Sequence, residues 1–248
     1  MLKAPYVVTG ASKGLGRAIA RNLAECGHPI IALSSDAVSL GVAGAEFASI
    51  QPDSITITCD LADRADIATA AEQIKAKTNW IAGIVHNAGI ISPIKPMAEV
   101  DRADWAKNIQ INLVGVQDLT NRLIPVMGGK QQSRITTISS GASLNPVSGW
   151  SAYCVAKAGL DMWSKCLALE GSENNISSIS VAPGIVDTDM QKTIRSSNEN
   201  DFPSHKTFVE LHNDGQLVQP KLVAEKLSPL ITDHSMEQSG MRFDVREL

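Results

Sequence analysis

The chain is short of cysteine, of basic runs and of long apolar stretches, and each shortage removes a class of function. Its four cysteines, Cys26, Cys59, Cys154 and Cys166, are scattered with no Cys-x-x-Cys pair. That spacing fits reduced thiols in a reducing compartment and excludes a disulfide framework. The five histidines show no His-x-x-x-His or other ligand spacing, so no metal is expected. Net charge is −4 with no block of Lys or Arg, which argues against nucleic acid or an anionic membrane as the main partner. No uninterrupted apolar stretch is long enough to span a bilayer. Met1-Leu-Lys-Ala-Pro5 runs straight into a strand pattern without the features of a leader. A cytoplasmic protein acting on a small molecule is the expectation. With 44% hydrophobic and 19% charged residues, the 248-residue chain suits one large α/β domain.

What is present is an alternation of β-branched runs and helical patterns. Tyr6-Val7-Val8 leads into Thr9-Gly10-Ala-Ser-Lys13-Gly14-Leu-Gly16-Arg17 and then a helix-like Ala18 to Glu25. A strand, a glycine-rich turn and a helix N-terminus make an anion site, because unpaired backbone N–H groups and the helix dipole point at a bound phosphate. The spacing Gly-x-x-x-Gly-x-Gly differs from the commoner Gly-x-Gly-x-x-Gly but meets the same need for a tight turn and close backbone approach. His28 to Leu33 is a second strand, ending at Ser34-Ser35-Asp36. An acidic tip there holds the ribose of NAD, whereas NADP needs room and positive charge. The ribose position falls nearer Ser34 than Asp36, and Lys13 can meet a 2′-phosphate, so NADP(H) is preferred and Asp36 reads as a solvated turn residue.

Ser54 to Thr58 is a third strand, followed by Cys59-Asp60-Leu61. Asp60 either accepts from an adenine amino group or caps the helix that runs to Lys77. Ile81 to Val85 is a fourth strand, ending at His86-Asn87-Ala88-Gly89, where small residues let a ribose lie against the backbone. His86 reads as a packed residue. Residues 103–127 read as one long helix with an apolar stripe interrupted by Asn112, whose buried amide needs partners and is expected to hold a water against Lys157. Arg134 to Ile138 is a strand, Ile176 to Val181 another, and Gly240 to Val245 the seventh, after a helix at Leu222 to Leu230. The weakly patterned residues 191–219 are expected to form a substrate lid of a single domain spanning residues 1–248. The alternation predicts a Rossmann fold: a doubly wound, mostly parallel seven-stranded sheet with helices on both faces.

Chemistry concentrates in Ser139-Ser140 and Trp150-Ser-Ala-Tyr153-Cys-Val-Ala-Lys157. Four residues apart on a helix, the phenol and the ammonium share one face. A neighbouring positive charge favours phenolate, and lowering a tyrosine from a pKa of about 10 to about 7 takes roughly 4 kcal/mol. Ser140, at a strand end, can face that helix.

These elements together resemble the short-chain dehydrogenase/reductases from end to end: Thr9-Gly10-x-x-x-Gly14-x-Gly16, Asp60, Asn87-Ala88-Gly89, Asn112, Ser140, Tyr153-x-x-x-Lys157 and Pro183-Gly184. Val181 to Gln191 is similar to the benzil-reductase and sepiapterin-reductase-like group, which implies reduction of α-dicarbonyls with NADPH. The resemblance implies Asn112, Ser140, Tyr153 and Lys157 as the catalytic set, with Tyr153 the general acid. It implies a cofactor site of Gly10, Ser12, Lys13, Gly14, Leu15, Gly16, Ser34, Ser35, Asp60, Leu61, Asn87, Ala88, Gly89, Tyr153, Lys157, Pro183, Gly184, Ile185 and Thr188. Leu144, Val147, Trp150 and Met190 are the implied substrate pocket. Two departures stand out: His86 replaces the usual asparagine, and Ser34-Ser35 lacks the arginine of many NADPH-preferring relatives. An NAD-dependent alcohol dehydrogenase of the same fold and a non-catalytic NADP-binding regulator are the alternatives. The family also implies a homodimer or homotetramer paired through residues 103–127 and 152–169.

Overall fold

A computed structural model describes residues 3–248. Seven parallel strands form one sheet: β1 Tyr6–Thr9, β2 Ile30–Ser34, β3 Ile55–Thr58, β4 Gly83–His86, β5 Ser133–Ile138, β6 Ile176–Ala182 and β7 Arg242–Asp244, in the order β3-β2-β1-β4-β5-β6-β7. Each central strand is buried on both faces, as helix-covered parallel strands must be. Alternation along a strand divides the core in two. Tyr6 and Val8 pack with α1 (Gly14–Glu25), α2 (Ala37–Ile50) and α9 (Pro220–Asp233), while Val7 and Ile84 pack with α3 (Arg64–Lys77) and α5 (Gly115–Leu123) on the other face. The strand order reverses at β1, which has β2 on one side and β4 on the other. Beyond the carboxyl ends of β1 and β4 the connections diverge, and that opening is where such sheets bind ligands.

The remaining helices are α4 (Arg102–Ile109), α6 (Ser151–Gly171), α7 (Asp189–Arg195) and α8 (His205–Asn213). Three of these elements depart from expectation. The predicted single helix over 103–127 is broken: α4 passes through a wider π-type turn at Gln110–Val114 before α5, and Pro125 closes the run in a 3₁₀ turn. The wide turn coincides with Asn112, whose side chain bonds the backbone of Ile90 and so pulls the helix toward the strand β4 loop. Helix α2 has no counterpart in the sequence reading. Asp36 caps it, accepting from Ser39 N at 3.0 Å, and Leu40, Ala43 and Phe47 bury its inner face. The polar 191–219 segment contains the last turns of α7 and all of α8. Among the described residues, no helix is long and apolar enough to cross a membrane, and no group of three or more His, Cys, Asp or Glu could hold a metal ion.

Candidate active site

The glycine turn is held open by the end of β4. Gly10 sits at φ +66, a left-handed conformation that costs a side chain dearly, and a Cβ there would press on Asn87 and Ala88. Thr9 Oγ1 accepts from the backbone N–H groups of Asn87 and Ala88 at 3.1 and 3.0 Å, and Asn87 Nδ2 donates back to Thr9 O at 3.1 Å. The first turn of α1 has no side-chain cap on its N–H groups. A rigid turn, an uncapped helix end and glycine clearance fit the pyrophosphate of a dinucleotide.

From that turn a cavity of about 590 Å³ runs past Ser34, Asp60, Asn87 and Gly89 to Tyr153 and Trp150. Its wall includes every residue expected for the cofactor except Gly16, together with Ser140, Tyr153, Lys157, Val147, Trp150 and Met190. Gly16 stands behind the wall, so close to the Gly10 carbonyl and the Asn87 amide that any side chain would overlap them. Leu144 is a correction: it is 65% exposed and off the cavity, because the turn after Ser140 carries it outward. Asn112 is buried. Its Oδ1 accepts from Ile90 N at 2.9 Å, while its Nδ2 donates to Ile90 O at 2.8 Å and to Asn108 Oδ1 at 2.7 Å. Those bonds use both N–H groups of the amide and brace the loop after β4, and they leave one lone pair of Oδ1 beside Gly89, on the side where Lys157 Nζ lies.

Tyr153 and Lys157 are 6% and 4% exposed. Lys157 Nζ donates to Ile138 O at 2.7 Å and lies 5.6 Å from the centroid of the Tyr153 ring. Burial pushes the phenol up to about 12, and the Ser140 hydroxyl offsets only part of that rise. Burial takes the amine down to about 8, with the Asp161 carboxylate opposing. In the protein by itself, desolvation exceeds the lowering by the Ser140 hydroxyl, and the phenol lies above its ordinary value. What the arrangement provides is a phenol that stays protonated, facing a hydroxyl, beside an amine that titrates near neutrality.

At the β2 end, Ser34 Oγ donates to Ser12 Oγ at 2.9 Å. Asp36 points into the cap of α2, where its bonds to Ser39 hold its carboxyl below the usual range. Lys13 Nζ lies 3.3 Å from Asp189 Oδ2, both side chains more than half exposed. Asp60 Oδ1 accepts from Ala62 N, and it is Asp63 that caps α3. His86 is 1% exposed with Nε2 2.7 Å from Thr120 Oγ1. Since Thr120 already donates to Val116 O, the histidine is the donor, and burial with the nearby Lys157 charge pushes it down to about 3. It is a neutral packed residue, as expected.

Sequence reasoning missed an aromatic wall. Trp150 stacks on Phe202 at 5.1 Å with 11° between planes, Phe208 meets both at 5.3 and 5.6 Å, and Tyr153 meets the indole edge-on at 5.8 Å. Phe202 and Phe208 come from the polar 191–219 segment, where two isolated phenylalanines made no periodic signal. Gln191, Ile194 and Arg246 also line the cavity.

Comparison with known proteins agrees with this architecture. The short chain dehydrogenase family model matches residues 5–199. Benzil reductase ((S)-benzoin forming) of Bacillus subtilis is 34% identical over 248 residues, covering 98% of each chain. The enzyme of the same name from Bacillus cereus is 32% identical over 240 residues, covering 94% of this chain and 95% of its own. Among solved structures, the KRED1-Pglu enzyme superposes with a TM-score of 0.88 at 29% identity, over 97% of this chain and all of that one. Fold, motif order and relatives agree, and the chain belongs to the short-chain dehydrogenase/reductase family of oxidoreductases, which work with a nicotinamide cofactor.

Proposed function

We propose that the protein is an NADPH-dependent carbonyl reductase whose preferred substrates are aryl ketones with a second, vicinal carbonyl. The observation that carries this reading is the meeting of Ser140, Tyr153 and Lys157 in one cavity with the glycine turn. The glycine turn, Asn87, Ala88 and Lys157 would hold a reduced nicotinamide dinucleotide, which would supply hydride for the carbonyl carbon. Ser140 and Tyr153 donate hydrogen bonds to the carbonyl oxygen as it gains negative charge, and Tyr153 then gives up its proton as general acid. Lys157, still largely protonated at neutral pH, lies beside the ring and steadies the phenolate left behind. Trp150, Val147, Met190 and Phe208 keep water from the reacting carbon and suit a flat aryl group. Helices α7 and α8 act as the lid, since they bring Met190, Gln191 and Phe208 over that end of the cavity.

Preference for NADPH is supported by the β2 end, where Asp36 is turned away and Ser12, Ser34 and Lys13 surround the space left. Vicinal diketones are supported by the identity to the two bacillar benzil reductases. The protein works as a homo-oligomer: Val155, Met162 and Leu169, at seven-residue steps on α6, are all more than half exposed and suit a paired helix face. The test is loss of nicotinamide absorbance with benzil, other diketones and simple aryl ketones, using NADPH and NADH in turn. Turnover with NADPH and diketones is expected, and Tyr153→Phe should reduce kcat by about 10²- to 10⁴-fold while leaving NADPH binding intact. No turnover above the no-enzyme rate, or full activity in Tyr153→Phe, overturns the reading.

A further inference from the structure

Arg242 opens the edge strand β7, yet its side chain is only 18% exposed and reaches back into the fold. Nε donates to Asp161 Oδ2 at 3.0 Å, and Nη2 donates to the carbonyl oxygen of Ser140 at 3.0 Å. Asp161 stands one helical turn beyond Lys157 on α6, is 7% exposed, and its Oδ1 has no partner. The guanidinium thus does not close a two-bond fork on the carboxylate. One arm goes to the helix that carries Tyr153 and Lys157, and the other to the strand end that carries Ser140.

The arrangement is poorly explained by stability. A buried ion pair returns little more than its desolvation costs, and an apolar pair of similar volume serves a fold as well or better. The neighbouring Arg246–Asp244 pair, between the turn after β7 and the last residue of that strand, is an ordinary edge contact, with the arginine side chain 67% exposed. What Arg242 adds is direction. Two fixed N–H vectors set the distance between the Ser140 backbone and α6, and a planar guanidinium is suited to that where an ammonium is not. The hydroxyl of Ser140 is useful only when it and the Tyr153 phenol converge on one oxygen atom.

We propose that Arg242 and Asp161 are a positioning pair that sets the Ser140-to-Tyr153 geometry, a proposal that rests on the catalytic reading of those two residues given above. Neither side chain touches the substrate; both act through Ser140 and α6, and Asp161 also sets its charge against the Lys157 amine. The test replaces the pair together, Asp161→Leu with Arg242→Leu, so that no buried charge is left alone, and compares kcat, KM for benzil, KM for NADPH and melting temperature with the unaltered protein. The expected result is a melting temperature close to the original, both KM values within about threefold, and kcat lower by about 10- to 100-fold, the range that a small misplacement of a reacting group costs. A kcat within about threefold, or a loss matched by a fall in melting temperature and NADPH affinity, overturns the proposal. Should the double variant fail to fold, Arg242→Lys decides. It keeps the charge facing Asp161 without the second directed donor, so kcat should still fall about fivefold or more at unchanged KM, and a kcat within about twofold overturns the pairing role. Ser140→Ala and Tyr153→Phe run in parallel separate the two ideas. If they keep full activity the catalytic reading fails; if they lose it while the leucine pair does not, only the positioning role fails.

Discussion

Along one wall of the cavity Gly10, Gly14, Asn87, Ala88 and Gly89 present backbone and little else, while along the other Trp150, Val147, Met190 and Phe208 present bulk. The first wall is made by two short strand ends, β1 and β4, locked by the hydroxyl of Thr9. The second is assembled from the loop that leads into α6, from α7 and from α8, and its rings rest on one another. A dinucleotide is the same molecule for every relative, so a wall of fixed backbone suffices. A substrate differs between relatives, and a wall of packed side chains can be changed without disturbing the sheet. The two walls should therefore respond differently to mutation.

The largest expected effect is on the aromatic wall. Phe202 is fully buried and backs Trp150 without lining the cavity itself. Phe202→Ala should cost about 3–5 kcal/mol of stability, as for other buried phenylalanines, read from the urea midpoint. With Trp150 unsupported, KM for benzil should rise while NADPH affinity stays constant. An equal loss of NADPH affinity would mean that the walls are not independent. On the opposite wall Gly16→Ala drives a methyl group against the Gly10 carbonyl and the Asn87 amide. It should cost about 1–3 kcal/mol by overpacking and weaken NADPH at least tenfold in a fluorescence titration. The benzil KM, measured at saturating NADPH, should not change.

The two walls also differ in how far the sequence disclosed them. The seven strands and the glycine turn were legible because their signals are local: a β-branched run, then glycines, then a helical period. Tyr153, Lys157 and Ser140 were legible because one helix and one strand end carry them. Helix α2 was not, since Gly41, Gly44 and many small residues blur its stripe, and only the Asp36 cap marks its start. The break at Gln110–Val114 was hidden because it depends on Asn112 reaching Ile90 on another segment. Phe202 and Phe208 were hidden for the same reason, as their partners are about fifty residues away in the chain. The desolvation of the phenol was hidden because a motif names the neighbouring charge but not the burial.

Acid should act through two buried histidines, one at each end of the sheet. His86, behind the β4 end, is pushed down to about 3, and His234, bonded to Ser177, to about 4, both from 6.5 and both chiefly by burial. Below pH 6.5 the unfolded chain takes up protons that the folded chain refuses. Their contribution to stability is thus constant above pH 6.5 and is lost as pH falls toward 4, by up to about 1.4 kcal/mol per pH unit for each histidine. His86→Asn, which keeps an amide donor for Thr120, should remove about half of that histidine-dependent slope in unfolding measured from pH 7 to 4. An unchanged slope would place the acid lability elsewhere.

The smallest effect is expected where the two halves touch over the cavity mouth, between Lys13 of the glycine turn and Asp189 at the start of α7. An exposed pair of this kind contributes about 0–1 kcal/mol, so Lys13→Ala should leave the urea midpoint almost unchanged. Its consequence lies in cofactor choice. A lysine that can leave Asp189 for a 2′-phosphate gains a dianionic partner with NADPH and nothing with NADH. Lys13→Ala should therefore lower kcat/KM for NADPH by about three- to tenfold, the worth of one exposed charge-assisted contact, with kcat/KM for NADH unaltered. Salt sharpens the result, because an exposed contact is screened within a Debye length of about 8 Å at physiological ionic strength, and the advantage of NADPH should shrink as salt is added to the original protein but not to the variant. If both cofactors lose equally, Lys13 serves the pyrophosphate that they share, and discrimination rests on the Ser12–Ser34 side of the wall alone.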